Sequence, residues 1–142
     1  MSSKDPAREH RRAAMLALFQ LDAGRGDDPS LIDDGLAGVD LEETTRQRGL
    51  TTANAVWASR TLIDEAVASE STEWPIHRQP AVDRAILRLA AWELLNTDTP
   101  RSVVIDEAVR LAHEFGTAKS SGFINAVLDA MPMPDADVIE DA

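Results

Sequence analysis

Residues 82–95, VDRAILRLAAWELL, constrain the fold more than any other stretch of this chain. Unrolled at about 100° per residue, Arg84, Arg88, Ala91 and Leu95 fall on one side. Val82, Ile86, Leu89 and Glu93 fall on the opposite side, and Leu87, Trp92 and Leu94 fill the flanks. A helix that is apolar nearly all round has to be covered nearly all round. The stretch therefore predicts a central helix with other elements packed about it.

Four charges interrupt that helix, and charged side chains are rarely buried unless paired. Arg84 and Arg88 lie four residues apart with like charge, an unfavourable spacing unless acids or phosphates face them. Two readings follow: they pair with acids of a neighbouring helix, or they belong to a contact surface for a partner or RNA. Glu93 lies in the Val82, Ile86, Leu89 stripe, so its carboxylate needs buried hydrogen-bond donors. The unpaired N–H groups of an adjacent helix N-terminus are the expected source. With no base, nucleophile or metal ligand beside it in sequence, Glu93 reads as structural rather than catalytic.

The rest of the chain is helical in pattern. A first helix is expected over roughly 6–22, with Asp5 as N-cap and Pro6 in the first turn. AGRGDDP then breaks the chain, and a short helix follows near 29–38. Residues 40–50 are polar and give no clear pattern, and a longer helix is expected from about 51 to 70. STEWPIHRQP reads as a loop because of Pro75 and Pro80. Beyond the central helix come helices near 100–115 and 118–131, with Gly116 as a C-terminal cap and Thr117 or Ser120 as the next N-cap. On the helix near 103–115, Asp106, Arg110 and Glu114 read as a solvated, salt-bridged face. The acidic segment 132–142 is expected to be a disordered tail after a single helical domain, 1–131. No period-2 stretch is long enough to support a sheet, so the fold class is all-α.

Charge bears on function. The chain carries −11 at neutral pH, which argues against indiscriminate nucleic-acid binding. Yet Lys4, Arg8, Arg11 and Arg12 against Asp5 and Glu9 give the first 12 residues +2, leaving −13 on the other 130. A basic first turn opposes the positive end of the helix dipole, so either a solvated helix start or a local phosphate contact explains it. There is no cysteine, which excludes disulfides and thiolate metal sites. His10, His77 and His113 fit no metal-ligand spacing, and no phosphate loop or nucleophile motif occurs. No apolar run approaches the roughly 20 residues needed to span a bilayer, and the N-terminus lacks a signal-peptide core. A cytoplasmic protein without enzymatic activity, cofactor or metal is the expectation.

The stretch WPIHRQPAVDRAILRLAAWELLNTDTPRSVVIDEAVRLAHEFGTAKSSGFINAVLDAM resembles the C-terminal half of the NusB transcription antitermination family. VDRAILRLAAWEL, VVIDEAVRLAHEFG and GFINAVLD occur in the family's order and spacing, and RRAAMLALFQLD resembles its arginine-led first helix. Together these cover about half the chain; residues 23–72 match in helical pattern alone.

The resemblance implies an all-α, NusB-like fold of two small packed helical subdomains, with about six to seven helices. It implies binding of the boxA element of ribosomal RNA leader transcripts jointly with ribosomal protein NusE, within the transcription elongation complex, with a homodimer as a further option. Lys4, Arg8, Arg11 and Arg12 then take RNA. Phe19 stands where the family often has Tyr and keeps an aromatic for stacking without the hydroxyl. Asp83, Arg84 and Arg88 match the helix lining the NusE and RNA surface, and Lys119 occupies a loop position near the partner. Ala126 replaces a usual glycine. Two other readings are a protein-binding or dimerisation module of the same fold without specific RNA binding, and the accessory RNA-binding domain of a ribosomal RNA methyltransferase. The second is disfavoured because the chain has no length for the catalytic domain.

Overall fold

The computed structural model describes residues 5–25, 40–70 and 74–132. Helix α1 (Pro6–Gln20) starts as its sequence dictates: the Asp5 carboxylate accepts from the Ala7 N–H at 2.9 Å and the Arg8 N–H at 3.4 Å, with Pro6 at the first helical position. Its inner face is Ala13, Ala14, Met15, Ala17 and Leu18. A π-helical turn, Leu21–Arg25, ends it at Gly24, whose φ of 87° lies where only glycine is at ease.

Helix α2 (Glu43–Ala58) lies so close against α1 that a Cβ on Gly49 would come within 2.4 Å of Ala13 Cβ. The single helix expected over 51–70 is in fact two, and the first begins inside the segment that gave no pattern. A kink at Ser59 (φ −99°, ψ 8°) separates α2 from α3 (Arg60–Ala68). The redirection lets Val56 of α2 and Ile63 and Val67 of α3 all reach the core. After a 3₁₀ turn at Ile76–Arg78, α4 (Ala81–Asn96) begins behind Pro80. It packs against each of the other five helices, the central position its all-round apolarity requires.

Helix α5 (Arg101–Phe115) and helix α6 (Ser120–Ala130) complete the described fold. The Arg101 guanidinium donates to the carbonyls of Leu128 and Met131, placing a cation at the negative end of α6. Among the described residues there are six helices and no strand, an all-α architecture with Met15, Leu18, Ile63, Ile86, Leu87, Leu94, Ile124, Leu128 and Met131 fully enclosed. Two end signals behave differently from expectation. Gly116 caps α5 without a left-handed backbone, and Ser120 is the first residue of α6 rather than its cap. The Ser120 hydroxyl accepts from the Thr117 N–H at 2.9 Å and donates to Asp83 at 2.8 Å, joining the turn to α4. The expected helix near 29–38 and the acidic tail from 133 onward lie outside the described residues.

Candidate nucleic-acid interface

Each described arginine of α1 meets an acid, and the three differ in how tightly they are held. Arg11 Nε donates to both Glu93 oxygens at 2.9 and 3.2 Å, with both side chains only 13% exposed. The donors for Glu93 therefore come from a guanidinium on α1 and not from a helix N-terminus. The α1–α4 contact puts Arg11 above the Ile86, Leu89 face, where its Nε–H is shared between both oxygens and meets the carboxylate with full opposite charge.

Arg8 is 45% exposed and donates from Nε to both oxygens of Glu107, at 3.1 and 3.2 Å. Glu107 also lies 3.4 Å from Nε of Arg110, which is 59% exposed. Arg12 reaches Glu114 at 2.8 Å and Glu9 at 3.9 Å, with its guanidinium 5.6 Å from the Phe115 ring centre. These side chains line a groove of about 340 Å³ between α1 and α5, flanked by His113. Arg110 and Glu114, expected on a solvated, salt-bridged α5 face, are exposed and ion-paired at the edge of this groove, Glu114 with a partner on another helix.

His10, one turn along α1, bonds Thr52 Oγ1 of α2 at 2.8 Å, and burial lowers its pKa below the ordinary imidazole value. Phe19 is half-buried and packs against the core rather than standing clear of it. Lys4 lies outside the described residues.

The residues expected at the partner surface are mostly turned inward. Arg88 forks onto Asp64 of α3 at 2.8 and 2.9 Å and reaches Asp22 at 3.3 Å, with its side chain 9% exposed. Burial opposes its charge, but the hydrogen bond and charge of Asp64, with the charge of Asp22, outweigh it and raise its pKa. Arg84 meets Asp22 at 2.6 Å and donates to the carbonyls of Ile76 and Gln79. Of the two readings given for this arginine pair, internal pairing is the geometry found. Trp57 stacks under Arg60 at 4.2 Å and lies 5.5 Å from Arg88.

Asp83 is 1% exposed: Oδ1 accepts from Ser120, Oδ2 has no hydrogen-bond partner, and burial raises its pKa despite the Ser120 bond. A partner could touch it only by parting α4 from α6. Lys119, at the start of α6, is the one member of this set that is exposed. Sequence reasoning missed Asp22, Asp64 and Glu107 as counterions, and read Glu114 as salt-bridged within its own helix rather than to Arg12. The Glu107–Arg110 pair alone had a local signal, its i,i+3 spacing. No group of three or more potential metal ligands occurs among the described residues. No helix there is long and apolar enough to cross a membrane.

Comparison with known proteins places this architecture. Transcription antitermination protein NusB of Sorangium cellulosum is 37% identical over 120 residues, covering 84% of this chain and 86% of its own length. That of Anaeromyxobacter dehalogenans strain 2CP-1 is 40% identical over 127 residues, covering 84% of each. The solved structure of T. maritima NusB matches with a TM-score of 0.75 and 32% identity over 89% of this chain and 90% of its own. A chain from the crystal structure of antitermination factors NusB and NusE in complex with dsRNA shares the fold, with a TM-score of 0.74 at 23% identity over 88% of this chain and 94% of its own. The NusB family model itself matches residues 8–132, from Arg8 on the basic helix to the end of the described fold, and the chain belongs to the NusB family.

Proposed function

We propose that this protein is a transcription antitermination factor that binds boxA RNA of ribosomal RNA leader transcripts together with ribosomal protein NusE. It acts within the elongation complex, in the cytoplasm, and no catalytic step is part of this reading. Membership of the NusB family and relatives named as antitermination proteins support it. The observation that carries it is the cationic strip of exposed Arg8 and Arg110 and half-buried Arg12 beside one groove, on a chain whose net charge is −11. Guanidinium groups gathered at one groove of an acidic body favour a defined phosphate path over diffuse attraction. Arg11 contributes by bracing α1, which carries that surface, while Arg84 and Arg88 hold α4 to α3 and to the turn after α1; Lys119 is the exposed candidate for NusE.

The test is a titration of the full chain with boxA RNA and a scrambled RNA of equal length, each with and without NusE. Tighter binding of boxA, strengthened by NusE, is the expected result. Equal binding of the two RNAs, or none, overturns the reading. Capture of NusE with no boxA preference assigns the chain to the protein-binding alternative.

A further inference from the structure

The groove between α1 and α5 has a property that its arginines alone do not convey: its positive charge is already matched from within. Glu107 is shared between Arg8 and Arg110, at 3.1 and 3.4 Å, and Glu114 holds Arg12 at 2.8 Å. A carboxylate offers a guanidinium the same pair of anionic oxygens that a phosphate does, in the same forked geometry. Each pair is open to water on at least one side. Glu107 itself is only 12% exposed, but Arg8, Arg110 and Glu114 are about half exposed, whereas both members of the Arg11–Glu93 pair are enclosed.

We propose that Glu107 and Glu114 are internal stand-ins for phosphate, and that RNA enters the groove by exchanging its phosphates for these carboxylates on Arg8, Arg12 and Arg110. The inference rests on the RNA-binding reading above and adds to it a source of restraint. In the free protein the two glutamates hold the guanidinium groups in a phosphate-ready arrangement, with Arg12 further steadied over Phe115. In the complex the displaced carboxylates take up cations from solution. That uptake opposes the cation release from RNA, so the salt dependence is shallower than the number of phosphate contacts implies. Exposed ion pairs of this kind each weigh about 1.5- to 5-fold in an equilibrium.

The experiment compares the full-length chain with Glu107→Gln/Glu114→Gln and with a control, Glu65→Gln/Asp129→Asn. The control removes two exposed negative charges outside the described ion pairs. Two probes are titrated, boxA RNA with NusE and inorganic pyrophosphate, with arginine Nε–H resonances reporting where each binds. The groove variant is expected to bind both probes about three- to tenfold tighter than the control and to show a steeper salt slope. Glu114→Gln alone, at the more exposed pair, is expected to give about two- to threefold, and Arg110→Ala to weaken binding with the fold intact.

Groove-variant affinities no higher than the control for either probe overturn the exchange, and the RNA reading stands if the wild-type chain still prefers boxA. Tighter pyrophosphate binding in the groove variant, with no RNA binding by any chain, upholds the glutamates as stand-ins for phosphate and overturns RNA as the occupant, and with it the RNA reading.

Discussion

At the scale of single residues, Arg11 and Glu93 show how an apparent binding residue becomes a structural one. Glu93→Ala leaves the Arg11 guanidinium largely buried without its acid, and the expected cost is about 1–3 kcal/mol in chemical denaturation. Glu93→Gln keeps one acceptor and is expected to cost less. Full stability in Glu93→Ala would show that the pair does not brace α1 on α4. Asp83 supplies a pH test. Burial raises its folded-state pKa above its unfolded value, so the folded chain holds the proton more tightly. Stability from the neutral carboxyl is present below the ordinary carboxylate range and is lost as pH rises through the folded value. Asp83→Asn does not titrate, so in urea melts the wild-type chain should compare more favourably with this variant at pH 4 than at pH 7. A constant difference between the two would refute the assignment.

At the scale of elements, two contacts fix how helices meet. Gly49 allows α2 to lie directly on Ala13 and Ala14 of α1. Gly49→Ala adds a methyl that the backbone of α1 cannot yield to, and a loss of about 1–3 kcal/mol is expected in thermal or urea unfolding despite the better helix propensity of alanine. Arg88 joins α4 to α3 through Asp64 and to the end of α1 through Asp22. Arg88→Ala strands Asp64 and leaves Asp22 to Arg84 alone, so a cost of about 3–5 kcal/mol is expected, far above that of a surface arginine. Arg88→Lys is expected to recover only part of it, because an ammonium cannot fork onto Asp64. Binding of NusE lost without any loss of stability in Arg88→Ala would instead place this residue at the partner surface.

At the scale of the whole molecule, the arginines of α1 divide between two tasks. If Arg8 and Arg12 alone among them meet phosphate, they contribute a single-strand salt slope of about −1.4, against about −2 for all three. Replacing Arg8 and Arg12 together with alanine should flatten log K against log salt by that first amount, less the cation uptake of the glutamates they release. Arg11→Ala should leave the slope nearly unchanged while lowering stability. A slope that flattens as much for Arg11→Ala as for Arg8→Ala would return Arg11 to the RNA surface.

The sequence by itself determined the helical class, the central place of residues 82–95, the capped start at Asp5 and the family. Each of these depends on periodicity, a cap spaced two or three residues away, or motifs in order, all of which are local along the chain. It also showed that Arg84, Arg88 and Glu93 needed partners, because their helix is apolar on every side. Only the tertiary structure decided which partners: Asp22 lies 62 residues from Arg84, Asp64 24 from Arg88, Arg11 82 from Glu93 and Glu107 99 from Arg8. A charge pair across helices leaves no spacing signature, since either sign of neighbour is compatible with the same local helix. The split of α2 from α3 at Ser59 was hidden for a similar reason. No proline or glycine marks it, and the kink is selected by the core that Val56, Ile63 and Val67 share. Whether an arginine faces water or an acid is thus settled by packing, and packing is where this chain separates the arginine that holds the fold from those left at its groove.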